Sequence, residues 1–205
     1  LFLRREFQRL SAVTDYFALL DESRQPWLDE ETLKAKFFAL STSVHPDRVH
    51  DLPERERKAT QERYTELNAA YNCLRVPKDR LRHLLELETG RKPAQVQQVP
   101  PELVDLFFEI GQATRAADEF LKRKALVTSP LLMVGLFDEG QNISERLIAL
   151  RDNLTARQTQ HANECRELKD QWQQKLDRLE QIQQTLSYLH RWTAQLQERI
   201  VQLAL

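Results

Sequence analysis

Residues 28–47 read Leu28-Asp29-Glu30-Glu31-Thr32-Leu33-Lys34-Ala35-Lys36-Phe37-Phe38-Ala39-Leu40-Ser41-Thr42-Ser43-Val44-His45-Pro46-Asp47. Asp29 can accept the free N–H groups of a first helical turn, and Glu30 and Glu31 suit the positive end of its dipole. Leu28 and Leu33 stand where a hydrophobic staple would close. Leu33, Phe37, Leu40 and Val44 recur at steps of four, three and four, which makes one buried stripe on a helix. Lys34 and Lys36 fall off that stripe and are expected to face water. The helix must stop at His45, because Pro46 disfavours the α conformation in the residue before it.

Upstream, Asp15-Tyr16-Phe17-Ala18-Leu19-Leu20 reads as a short helical turn started by its Asp, and Asp21 to Trp27 as a polar loop broken by Pro26. Downstream, Pro46 to Leu52 is a polar loop and Pro53 is suited to open another helix. Tyr64, Leu67, Tyr71 and Leu74 form its stripe, which ends at Val76-Pro77. Asp79 is expected to cap a third helix, with Leu81, Leu84 and Leu85 inward and Gly90 as its stop. Two opposed apolar stripes joined by a tight polar loop predict an antiparallel hairpin, closed by short helices on either side.

Residues 92–101 read as a linker, with Pro93, Gln95, Gln97, Gln98, Pro100 and Pro101 offering little to bury. A helix then runs through Leu103, Phe107, Ile110, Ala113 and Phe120. Thr128-Ser129-Pro130 and Asp138-Glu139-Gly140 are expected to punctuate the chain beyond it. From Ile143 onward apolar residues fall at near-heptad spacing, through Leu147, Leu150, Leu154, Cys165, Leu168, Trp172, Leu176, Leu179, Ile182, Leu186, Leu189, Leu196, Ile200 and Leu203. Such narrow seams predict a long helical hairpin or three-helix bundle. Asp152-Asn153 and Asp177 are the candidates for its turn. The expected division is 1–14 N-terminal segment, 15–91 first domain, 92–101 linker and 102–205 C-terminal bundle.

Composition agrees. The chain has 205 residues, 41% hydrophobic and 30% charged, with 4 Gly, so an all-α class is favoured over sandwiches and loop-rich scaffolds. Thirty basic against 31 acidic residues give a net charge of -1, which does not indicate a nucleic-acid partner. Two cysteines, Cys73 and Cys165, exclude a disulfide framework and a Cys-rich zinc site. No apolar run approaches the roughly 18–20 residues that span a bilayer, so no membrane partner is expected. The chain does not begin with Met, and its start, Leu1-Phe2-Leu3-Arg4-Arg5-Glu6-Phe7, is basic and amphipathic without a signal-peptide core. A soluble, reducing, cytoplasmic location is the simpler reading, or the mitochondrial matrix in a eukaryote.

His45-Pro46-Asp47 is the sharpest motif. Pro46 ends the helix and sets the chain direction, and Asp47 presents a carboxylate on a loop, able to form a charge-assisted bond to a partner cation. Lys34 and Lys36 would speed and orient encounter with an acidic surface. The tripeptide in a hairpin loop, after an Asp-Tyr-Phe-x-x-Leu opening, resembles the J-domain, the module that activates DnaK-type ATPase chaperones. Leu67-Asn68-Ala69-Ala70-Tyr71-Asn72-Cys73-Leu74-Arg75, then Pro77, Arg80, Leu84-Leu85-Glu86-Leu87 and Gly90, resembles more narrowly the HscB (Jac-type) co-chaperones. The chain departs from that pattern at Val44, where an aromatic is usual, and at Ser41, Thr42 and Ser43, where basic residues are common. Arg48 fits the usual Lys or Arg.

The resemblance implies an N-terminal J-domain followed by a C-terminal three-helix bundle. It implies chaperone contacts at His45, Pro46, Asp47, Arg48, Lys34 and Lys36 with a DnaK/HscA-type ATPase. It also implies delivery of the iron–sulfur scaffold protein (IscU type), held through Leu103, Val104, Leu106, Phe107, Phe108, Tyr188 and Trp192. The run Leu103 to Phe108 is apolar on more than one helical face, so one face can feed the core and another would need a partner. The alternatives are a J-domain protein with a different client or a weak homodimer through the heptad seam, and a helical adaptor without a chaperone partner. His161 and Cys165, four apart on a helix, are two ligands short of a metal site. No metal, cofactor or enzymatic activity is expected, since nucleophile-elbow, Walker and dinucleotide motifs are absent from the sequence.

Overall fold

The computed structural model describes residues 13–45, 53–93 and 98–204, with backbone only at 130–132. Among these residues all regular structure is helical, as the composition required. The helices are α1 (Tyr16–Leu19), α2 (Glu30–Ser43), α3 (Glu54–Leu74), α4 (Pro77–Thr89), α5 (Val104–Leu126), α6 (Pro130–Glu167) and α7 (Leu176–Ala204). Short 3-10 turns lie at Pro101–Leu103, Leu168–Asp170 and Trp172–Gln174. The chain forms two compact units, Leu1–Ala94 with Cys165–Gln183, and Gln95–Glu164 with Gln184–Leu205. The sequence suggested one cut, at 92–101; the packing groups Cys165–Gln183 with the first unit.

In the first unit, Asp15 caps α1, its Oδ1 accepting the N–H groups of Phe17 and Ala18 at 3.0 and 3.2 Å. Asp29 caps α2 by accepting from the Thr32 N–H at 2.9 Å, and the staple residues Leu28 and Leu33 are both buried. α2 ends at Ser43 with Val44 as its cap. The Phe37 ring stacks on Tyr71 at 4.4 Å, and the His45 ring meets Tyr64 edge-on at 5.4 Å. Moving forward from 37 to 45 therefore moves backward from 71 to 64, so α2 and α3 lie side by side and antiparallel. α4 starts at Pro77 with Val76 in the cap position. Asp79 is thus not the cap expected of it. It sits in the first turn, paired with Lys78 at 2.8 Å and Arg82 at 3.5 Å, where its charge still favours the helix dipole. Gly90 closes α4 at φ +66°, a conformation costly for a residue with a Cβ.

Among the polar residues buried in this unit, Ser41, Arg80, His83 and Gln183, two are ionisable. Arg80, 4% exposed, donates from Nε to the Pro26 carbonyl at 3.0 Å and from Nη1 to the Leu74 carbonyl at 2.7 Å. Burial lowers its pKa to about 10, which keeps it a cation at neutral pH. It ties the loop before α2 to the end of α3. His83 accepts the Tyr16 N–H through Nε2 at 3.1 Å and stacks on Tyr16 at 4.5 Å. An acceptor at Nε2 places the proton of the neutral ring on Nδ1. Burial lowers the His83 pKa below the usual histidine value. Outside them, Arg24 bridges Asp15 at 2.8 Å and Glu88 at 3.0 Å.

In the second unit, α5 buries Leu106, Ile110, Ala113 and Ala117 behind Leu103. They pack with Leu147, Leu150 and Leu154 of α6 and with Tyr188, Leu189, Trp192 and Leu196 of α7. Thr128-Ser129-Pro130 separates α5 from α6 as expected. Asp138-Glu139-Gly140 does not punctuate; it lies inside α6. Gly140 answers a packing need instead, because a Cβ there would come 2.9 Å from the Phe120 ring. The link between α6 and α7 falls at 168–175, just before Asp177, while Asp152-Asn153 is mid-helix.

Candidate functional site

α2 stops where Pro46 requires it to, and His45 follows, half-buried, with its ring on Tyr64. Pro46, Asp47 and Arg48 lie outside the described residues. Residues 34, 38 and 42, spaced by four, share one outward face of α2. Lys34 is exposed there. Phe38 is 55% exposed. Thr42 donates back to the Phe38 carbonyl at 2.6 Å, and the Ser41 and Ser43 hydroxyls likewise bond to carbonyls of their own helix. Lys36 departs from expectation. It is half-buried, pairs with Glu22 at 3.1 Å and donates to the Asp21 carbonyl, so it tethers the loop after α1 to α2.

Phe38 is the residue that sequence reasoning passed over. The signal was the adjacent pair Phe37-Phe38: neighbours on a helix point about 100° apart, so one stripe buries only one of them. Cys73 carries no reactive chemistry at neutral pH, because burial pushes its thiol up to about 11. His161 faces Glu164 at 3.4 Å, and Cys165 is buried. Among the described residues no group of three or more His, Cys, Asp and Glu is arranged to hold a metal.

The second surface lies at the start of α5. Of the expected patch, Leu103, Leu106, Tyr188 and Trp192 are core residues, each 7% exposed or less. The reason is helical phase: 103, 106 and 110 share the face turned to α6 and α7, and 188, 192 and 196 share the face turned back. Val104, Phe107 and Phe108 point outward at 37%, 45% and 60%. Phe107 rests against Phe108 at 5.6 Å and Trp192 at 6.1 Å, and Trp192 rests against Tyr188 at 5.4 Å. The exposed rings therefore stand on a rigid aromatic floor. Thr185 donates to Glu102 at 3.3 Å, which fixes the 3-10 turn leading into α5 against α7. No helix among the described residues is long and apolar enough to cross a membrane.

No protein-family model matches the chain. A curated relative, the co-chaperone protein HscB homolog of Azoarcus sp. (strain BH72), is 38% identical over 73 residues, which are 36% of this chain and 41% of that protein. The match thus spans about two fifths of the relative's length. Among solved structures, chaperone HscB from Vibrio cholerae superposes with a TM-score of 0.63 at 20% identity, covering 93% of this chain and 99% of that one. The human co-chaperone protein HscB superposes with a TM-score of 0.62 at 20% identity, covering 93% and 82%. The chain has the fold of the HscB chaperones over most of its length, and its matched 73-residue stretch is similar to part of a curated HscB co-chaperone homolog.

Proposed function

We propose that this chain is a J-domain co-chaperone of HscB type. Its first unit engages the ATPase of a DnaK/HscA-type chaperone, and its second unit carries the iron–sulfur scaffold protein to it. The observation that supports this best is the antiparallel α2–α3 hairpin, with His45 at its corner and Lys34 and Phe38 on the outer face leading there. The corner does no chemistry of its own. It stabilises one conformation of the partner, so hydrolysis accelerates as that conformation becomes more populated. Asp47 supplies the charge-assisted bond to a partner cation. Because Lys36 is held by Glu22 and residues 41–43 are neutral, Lys34 carries the encounter charge of this face, and Phe38 adds apolar contact. Stimulation should therefore depend less on salt than an Arg- and Lys-rich face would make it.

Val104, Phe107 and Phe108 are the residues assigned to the scaffold protein. Burying each ring contributes roughly 2 kcal/mol, and the floor of Trp192 and Tyr188 limits the ordering cost of binding. The test is steady-state ATPase of an HscA-type chaperone with and without the scaffold protein. The parent chain should stimulate, with synergy between the two. Asp47→Asn should abolish stimulation with helicity unchanged, and Phe107→Ser with Phe108→Ser should abolish the synergy alone. Stimulation by the Asp47 variant equal to the parent's would reject the reading.

A further inference from the structure

The rings of the α5 patch form a row that ends on a cation. Phe108 meets Phe107, Phe107 meets Trp192 and Trp192 meets Tyr188 at 5.6, 6.1 and 5.4 Å, and the Arg191 guanidinium lies over the Tyr188 ring at 5.1 Å. The row thus crosses from α5 to α7 by consecutive contacts. Tyr188 and Trp192 are buried, whereas Arg191 is exposed. A guanidinium stacked on a ring gives its face to the ring and keeps its N–H edge for an acceptor.

That edge has no counterion within the unit. Among the described residues Arg191 makes the ring contact but no ion pair. Its neighbours three and four places along α7, Ser187, Tyr188, Ala194 and Gln195, are uncharged. On α5, Glu102 is bonded by Thr185 and Asp118 by Arg199. Asp105 and Glu109 stand two residues either side of Phe107, about 160° round the helix from it. Arg123 gives the contrast: it also stacks on a ring, Phe120 at 5.8 Å, but its edge is taken by Glu139.

We propose that Arg191 is a recognition residue for the scaffold protein. It receives an Asp or Glu carboxylate of that partner while the partner's apolar side chains cover Val104, Phe107 and Phe108. This rests on the HscB-type reading and adds to it the charge that the partner's surface must carry. An aromatic centre with an arginine at its margin is the composition of a protein–protein contact. The Tyr188 ring holds the guanidinium in place, so little side-chain freedom is left to lose on binding, and the planar fork can take both carboxylate oxygens. A polyanion such as nucleic acid fits poorly, because it needs several bases and no other Lys or Arg stands between Arg178 and Arg199 on α7.

Calorimetric titration of the full chain with an IscU-type scaffold protein, at about 50 and about 300 mM NaCl, tests this. Arg191→Gln should weaken binding about tenfold and Arg191→Glu by more. Arg191→Lys, which keeps the charge but not the fork, should weaken it only about threefold. Helicity should be unchanged in all three, since the position is exposed. Added salt should weaken the parent's binding more than that of Arg191→Gln; a merely structural role would leave the salt response alone. Binding by the Gln and Glu variants equal to the parent's, in a chain whose binding is still lost on Phe107→Ser with Phe108→Ser, overturns this proposal and leaves the HscB-type reading standing. Equal weakening by Gln, Glu and Lys with an unchanged salt response also overturns it. A parent chain that does not bind the scaffold protein overturns both.

Discussion

The two units place their polar and apolar groups in opposite ways. The first buries Arg80 and His83 among Phe17, Leu20, Leu74, Leu81 and Leu84, and gives both backbone partners. Its exposed large apolar residues, among those described, are Val13 and Phe38. The second has an apolar seam with Thr185 at its margin, and carries the rest of the exposed large apolar residues, from Val104 to Val201. The difference lies in the needs of each unit's backbone. The first joins its helices through loops whose carbonyls need donors, and a buried guanidinium reaches a loop carbonyl and a helix-end carbonyl at once. The second consists of long helices that satisfy their own backbones, so apolar residues beyond the seam are free to serve surfaces.

The sharpest way to break this contrast is to remove the buried cation. Arg80→Ala leaves the Pro26 and Leu74 carbonyls without their donor and opens a void beside Leu74, which should cost about 3 kcal/mol. Urea unfolding of the full chain measures it. A loss below about 1 kcal/mol would mean that apolar packing alone holds the first unit.

The matching test in the second unit concerns close approach. Gly140→Ala pushes a methyl into the Phe120 ring and should destabilise by about 1–2 kcal/mol. Gly111→Ala, on α5 with nothing within 4 Å of the added carbon, should stabilise by about 0.5 kcal/mol. Thermal unfolding of the pair would show opposite signs. Equal signs would remove the packing explanation for Gly140.

The smallest effect is the pH response of His83. Its folded pKa lies below the ordinary value of 6.5 because burial disfavours the cation. On acidification the unfolded chain therefore takes up the proton first. The stabilisation from neutral His83 is fully present above about pH 6.5 and is lost as pH falls toward the folded pKa. Protonation also removes the Nε2 acceptor used by the Tyr16 N–H. Stability measured from about pH 7.5 to about pH 5 should fall less in His83→Phe than in the parent. Identical slopes would show that the imidazole does not titrate differently on folding.

Much of the hairpin was legible in the residues. The Asp29 cap, the stop before Pro46, the stripe through Phe37 and the Gly90 terminus each depend on neighbours within a turn or two. The candidate surfaces were legible only in part. Phe107-Phe108 announced an apolar excess, yet which members of the run face outward depends on the phase α5 adopts against α6 and α7. Lys36 read as a surface charge because its partners, Glu22 and the Asp21 carbonyl, lie across a loop.

By itself the chain's order of residues determined that this protein is helical and where most of its helices start and stop, since caps, periodicity and proline sterics act over a few residues. Tertiary structure alone decided that Asp138-Glu139-Gly140 stays helical, that Arg80 serves two carbonyls and that Cys165–Gln183 joins the first unit. Those outcomes depend on groups far apart in the chain. Contact between them exists only once the helices have packed.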